Sequence, residues 1–110
     1  MAYDEALAQR IRQQLGDEPG VTEKKMFGGL AFLINGNMSV AASGQGGLMI
    51  RCAPRDTDLF LREPGAEELV MRGRAMEGWL RVGDDAVTDE AELSRWVSRG
   101  VGYARSLPPK

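Results

Sequence analysis

Residues 22–40 read TEKKMFGGLAFLINGNMSV, and the fold turns on how this stretch is taken. Lys24 and Lys25, close to Gly28 and Gly29, fit a loop that cradles phosphate or a bend between two strands. A phosphate loop places its glycines after a strand and directly before a helix, so that backbone N–H groups and the helix start face the anion. Here the glycines are followed by LAFLI, a short run of strand formers, and then by Asn35-Gly36. Asn-Gly is the strongest short hairpin signal, because both central positions of a type I′ turn need positive φ. The lysines also precede the glycines, whereas a P-loop lysine follows them. The stretch therefore predicts a strand over 21–27, a bend at Gly28-Gly29, and a hairpin of strands 30–34 and 37–42. Lys24 and Lys25 fall on opposite faces of the first strand, so at most one can serve a shared site. A second reading stays open, in which this sheet end holds an anionic group with one or two cations.

Working outward, SGQGG (43–47) reads as a second turn and LMIRC (48–52) as a fourth strand, which makes an antiparallel meander. Upstream, Tyr3, Leu7, Ile11 and Leu15 recur every four positions and predict an amphipathic helix over 3–15, with Asp4 and Glu5 in its first turn. Downstream, PRDTDLFLR (54–62) suits a short helix with Leu59, Phe60 and Leu61 available for burial. Residues 69–72 and 76–82 form a second hairpin across Gly73-Arg74, with Leu80 and Val82 on the face opposite Trp79 and Arg81. In the last helix Leu93, Trp96, Val97, Gly100, Ala104 and Leu107 fall on one stripe, and Pro108-Pro109 stops it. Asp89 and Glu92 have capping-box spacing at its start. The order helix, four strands, helix, two strands, helix predicts an α+β fold, with helices packed on an antiparallel sheet of about four to six strands.

The 110 residues suit a single domain, 1–110, and 43% are apolar, which argues against disorder. A formal net charge of −2 excludes the strongly basic balance of a dedicated nucleic-acid binder. One cysteine, Cys52, permits no internal disulfide and suits a reducing, cytoplasmic setting. The N-terminus lacks a signal-peptide pattern, and no apolar run approaches the roughly 20 residues of a membrane helix. Histidine is absent, which removes the commonest general base and metal ligand together.

Four groups of residues invite a functional reading. Arg51, Arg72, Arg74 and Arg81 lie on neighbouring strand segments and can converge on one sheet surface, where arginines grip carboxylate or phosphate bidentately. Six acids between residues 56 and 77 offer the opposing reading, that these arginines are neutralised on the surface. Met76 and Trp79 suit core, an interface centre or a ligand groove. Asp84, Asp85, Asp89 and Glu90 lack the alternation and closing Glu of an EF-hand. Cys52 reads as an inert buried thiol. No group supplies a nucleophile, a base and an orienting residue together, so no catalytic, cofactor or metal residue is assigned.

TEKKMFGGLAFLINGNM (22–38), GRAMEGW (73–79) and RGVGYARSLPPK (99–110) resemble the N-terminal domain of the TfoX/Sxy family over almost the whole chain. The resemblance implies an α+β fold like that of secretion chaperones. Longer members resemble regulators of DNA uptake and natural competence that act through transcription and carry a second, C-terminal domain. That domain is not within these 110 residues, so the regulatory role carries over only in part. The expected function is a non-enzymatic binding or regulatory module that meets a protein partner or a second copy. The expected surface is Lys24, Lys25, Met26, Phe27, Gly28, Gly29, Arg51, Arg72, Arg74, Met76 and Trp79. The alternative is a binder of an anionic small molecule or nucleic acid through Lys24, Lys25, Arg51, Arg72 and Arg74.

Overall fold

A computed structural model of the chain describes residues 3–26 and 28–110. Six strands form one antiparallel sheet in the order β1-β2-β3-β4-β6-β5. They are β1 (Val21–Met26), β2 (Gly29–Ile34), β3 (Asn37–Ala42), β4 (Leu48–Arg51), β5 (Ala66–Met71) and β6 (Arg74–Val82). The helices are α1 (Glu5–Leu15), α2 (Thr57–Leu61) and α3 (Glu90–Ser106). The α+β fold predicted from the sequence is the one observed.

The opening question is answered by the backbone. Asn35 (φ 52°) and Gly36 (φ 86°) make the left-handed turn between β2 and β3. Gly29 opens a strand and not a helix, and Gly28 turns the chain at φ 73°. A Cβ on Gly29 would lie 2.2 Å from the Ala42 carbonyl oxygen, so the second glycine lets two backbones pack closely. Phe27, at the end of the predicted first strand, lies outside the described residues.

Strand alternation sorts the side chains into two layers. Cross-strand pairing aligns Leu30, Ala42, Leu48 and Val82 in one row and Phe32, Val40, Ile50 and Leu80 in the next. All eight are buried against the helices, together with Leu7, Ala8, Ile11 and Leu15 of α1 and Leu93, Trp96 and Val97 of α3. Gly100 lets α3 settle onto β3, since a Cβ there would meet the Ser39 carbonyl oxygen at 2.6 Å and Val40 Cγ1 at 2.7 Å. The Phe60 ring stands edge-on to Trp96 with centroids 6.1 Å apart.

Local details correct four readings. The α1 helix starts at Glu5 because the Asp4 carboxylate caps it, accepting from the amides of Ala6 at 2.9 Å and Leu7 at 3.2 Å. Segment 54–62 is a 3-10 turn (Pro54–Asp56) running into α2, and Leu59 faces solvent at 55% exposure because only one side of so short a helix reaches the sheet. The second hairpin turns at Arg72-Gly73, with Arg72 itself at φ 55°, and its strands are longer than the sequence predicts. Asp89 occupies the N-cap position of α3 without a side-chain capping bond. The expected box does not close: the Glu92 carboxylate is held 2.5 Å from Arg95.

Candidate functional site

The helices occupy one face of the sheet, and the other face carries a second apolar layer of different character. One cross-strand row on it runs Lys24, Ala31, Ala41, Met49, Arg81, Glu67. Two alanines stand at the middle of this row, buried beneath larger apolar groups. Ala31, Met38, Ala41, Met49 and Leu69 form the buried cluster, with Met26, Leu33, Met71 and Trp79 packed on it. Five of the six methionines, Met26, Met38, Met49, Met71 and Met76, lie in this layer or on its rim, and Met1 is outside the described residues. No described methionine belongs to the core under the helices.

The layer deepens beside β5 into a groove of about 840 Å³. Met49, Leu69 and Met71 supply its apolar surface, and Ser43, Gln45 and Arg81 close one end. Arg72, Arg74 and Met76, from the tip of the β5–β6 ribbon, stand at the other. The ribbon is offset from the rest of β6 by a bulge. Glu68 pairs with Leu80, but Val70 pairs with Ala75, so Met76 to Trp79 loop out of register. Gly78 takes up the bend at φ 86°. Its carbonyl accepts from the Cys52 amide at 2.8 Å, and its own amide donates to Thr57 Oγ1, also at 2.8 Å. The tip carries Val70 at 57% and Met76 at 38% exposure.

Charge divides along the same line. The ion pairs join Arg10 to Glu90, Arg12 to Glu23, Arg95 to Glu63 and Glu92, Arg99 to Glu63, and Arg105 to Glu18, and each involves a helix. Bonds from Arg99 and then Arg95 hold the Glu63 carboxyl below its ordinary range. By contrast Arg51, Arg72, Arg74 and Arg81 have no acidic partner within 4.0 Å among the described residues. The reading that nearby acids neutralise them is therefore corrected: none of those acids forms an ion pair with these four arginines among the described residues, although Glu67 stands across from Arg81, and Glu63 is taken by α3. Arg81 donates from one terminal nitrogen to the Gly46 carbonyl at 2.9 Å, while its Nε is buried with no partner among the described residues.

The surface expected from the sequence is split by the fold. Arg72, Arg74 and Met76 gather at the groove. Lys24, Lys25, Met26, Gly28 and Gly29 sit at the opposite edge, five strand spacings or roughly 24 Å away. Lys25 pairs with Leu30 and so projects on the helical side. Arg51 joins neither set, because it is held between the rings of Trp79 at 5.4 Å and Tyr103 at 5.5 Å. Trp79 packs on the methionine layer. Sequence reasoning passed over Met49, Leu69, Val70 and Met71 as site residues. Strand parity sets Met49 opposite to Ile50, but it puts Met38 with Val40, and Met38 reaches this layer only through the register shift between Phe32 and Leu33 in the β2–β3 pairing.

The remaining candidates have structural partners. Asp84 accepts from the Gly47 amide at 3.0 Å, and Glu90 receives Arg10 and Gln14. Among the described residues no group of three or more Cys, Asp or Glu side chains is placed to hold a metal ion. Cys52 is buried, and burial pushes its thiol up, away from the reactive thiolate.

No curated protein and no solved structure matches the chain. A family model, the TfoX N-terminal domain, matches residues 13–104, from the last three residues of α1 to near the end of α3, and so spans all six strands and the groove. The chain belongs to the TfoX N-terminal domain family.

Proposed function

We propose that this domain is a binding module without chemistry of its own, which meets a protein partner or a second copy through the helix-free face and the β5–β6 ribbon. Family membership supports a regulatory-domain kind of role. The observation that carries the reading is the segregation of methionine. Unbranched, polarizable thioethers adapt to varied shapes and are over-used at binding surfaces. Here they leave the helix-covered core entirely and collect around a solvent-open groove whose rim exposes Val70 and Met76. A merely structural second layer would have no need of exposed apolar residues at its tip. The absence of histidine from the sequence and a thiol held away from thiolate favour binding over catalysis. We further take the setting to be cytoplasmic, where a lone thiol stays reduced. No described helix is long and apolar enough to cross a membrane.

Grip on an anionic small molecule or nucleic acid through Lys24, Lys25, Arg51, Arg72 and Arg74 together has less support, because these cations divide between two edges and a stacked site. Light scattering and copurification test the main reading, with Val70→Lys/Met76→Lys as the control. A dimer mass or a retained partner that the double substitution abolishes is expected. A monomer that retains nothing, or a partner indifferent to both changes, contradicts it.

A further inference from the structure

The groove is continuous with a free strand edge. β5 ends the sheet, with β6 on one side and no strand on the other. Consecutive residues of β5 from Glu67 through Met71, and Arg72 beyond them, line the groove, so the strand's backbone as well as its side chains borders it. The two sheet edges are protected unequally. β1 carries Glu23, Lys24 and Lys25, and charged side chains are a standard guard against strand addition. β5 carries Glu67 and Glu68 at its start, but its second half is Leu69-Val70-Met71 with Val70 exposed. An unguarded edge beside an apolar groove is the arrangement used for strand addition, in which main-chain bonds give affinity and alternate side chains give specificity.

Charge selects the occupant. Where β5 leaves the sheet, Arg72 and Arg74 stand at the groove rim without acidic partners among the described residues. At the other end Arg81 presents a guanidinium satisfied at one terminal nitrogen, only loosely held by Gln45 at the second (3.4 Å), and unpartnered at Nε. The acids of the groove are Glu67 and Glu68, which line it at the start of β5, where Glu67 stands across from Arg81; the end at Arg72 and Arg74 has none among its described lining residues. A protein of net charge −2 thus keeps two cations without ion-pair partners among the described residues at the ribbon-tip end of this groove.

Resting on the binding-module reading above, we infer that the partner is an acidic peptide segment that docks in extended form, adding a strand to the outer edge of β5. Apolar residues at alternate positions cover Leu69 and Met71, and carboxylates at the segment's end meet Arg72 and Arg74. Six residues of added strand span about 20 Å, the length of β5 itself. The thioethers of Met49, Met71 and Met76 adjust to the apolar residues the segment brings. Nucleic acid is disfavoured as occupant, because no aromatic ring among the described lining residues offers a base a surface to stack on.

The test uses the intact chain and a fluorescein-labelled nine-residue peptide with Val at alternate central positions and Glu at both ends. Two backbone N-methylated versions block one edge of the peptide each, and a fourth peptide carries Lys for Glu. Anisotropy at low salt is expected to show saturable binding of the acidic peptide, loss on one N-methylation pattern only, and binding of the Lys peptide at least about tenfold weaker. Arg72→Glu/Arg74→Glu, two exposed residues at the ribbon tip, is expected to leave the circular dichroism spectrum intact and to reverse the preference toward the Lys peptide. Several results overturn the inference: no binding at low salt, equal binding of the acidic and Lys peptides, indifference to both N-methylation patterns, or tighter binding of a labelled single-stranded oligonucleotide. A dimer dissociated by Val70→Lys, with no peptide binding, gives the edge to a second copy and overturns it likewise. If the peptide fails while a retained partner is still lost on Val70→Lys/Met76→Lys, this inference falls and the binding-module reading stands. If both fail, both fall.

Discussion

The two faces of this sheet are made by the same six strands, and alternate residues of each strand belong to different environments. On the helical face the side chains are Leu, Ile, Val, Phe and Trp, and they interlock with α1 and α3. Branched and aromatic side chains have few rotamers, and they specify one arrangement. On the other face Met and Ala predominate, no described helix packs on them, and one edge opens into the groove. Ion pairs repeat the division, since each involves a helix, while the arginines near the groove stay unpaired among the described residues. The difference teaches that a small sheet can place its folding stability on one side and leave the other adaptable.

If that division is right, damage to the two faces will be unequal. The largest effect is expected from Trp96→Ala, which empties the fully buried centre under α3. It should lower unfolding free energy by about 3–5 kcal/mol in urea titrations. A loss below about 1 kcal/mol would mean that α3 does not hold the core. Next comes Gly100→Ala, which drives a Cβ to 2.6 Å from the Ser39 carbonyl oxygen. The forced shift of α3 is expected to cost about 1–3 kcal/mol, net of any gain in helix propensity. Gly73→Ala, at the ribbon tip with nothing within 4 Å, provides the comparison on the other side, where only its positive φ of 77° opposes the change.

The pH dependence sharpens the electrostatic half of the contrast. Glu63 is held below its ordinary value of 4.5 by Arg99 first and Arg95 second. Its depressed native value means that the unfolded chain takes up the proton first as the solution is acidified. The stabilisation is therefore complete above the ordinary value and lost as pH falls through the native one. Compared at pH 7 and at successively lower pH, wild type and Glu63→Gln should differ at the former, and the gap should close as the solution is acidified. A constant gap would remove the ion pairs from the account. The smallest effect on stability is expected at the groove rim, where Met76→Ala should stay within about 0.5 kcal/mol of wild type. The same substitution should weaken partner docking, separating binding from folding.

The helical half of this division is largely visible in the sequence. Asn35-Gly36 marks the hairpin turn, though the β2–β3 pairing shifts by one residue beyond Leu33, and the periodicity of Leu93, Trp96, Val97, Gly100 and Ala104 marks the buried stripe of α3. These signals are local, and the structure honours them. The site is less visible, because its parts meet only through the strand order. Nothing in the spacing of Met49, Arg81 and Arg72 says that β6 lies between β4 and β5, and that insertion is what assembles the groove. The same order separates Lys24 from Arg74, which the sequence leaves free to converge. The bulge at Met76–Gly78 is equally silent, since it depends on Cys52 and Thr57 holding Gly78 from two other elements.

Methionine makes the central claim directly measurable, because five of the six side chains report from the helix-free layer or its rim. With methyl-labelled methionine, NMR spectra recorded while the acidic, valine-alternating peptide is added should show Met49, Met71 and Met76 shifting together and saturably. Met26, near the far edge, should stay in place. Unmoved methionine signals at saturating peptide, or shifts centred on Met26, would contradict the assignment of this face and edge to partner recognition.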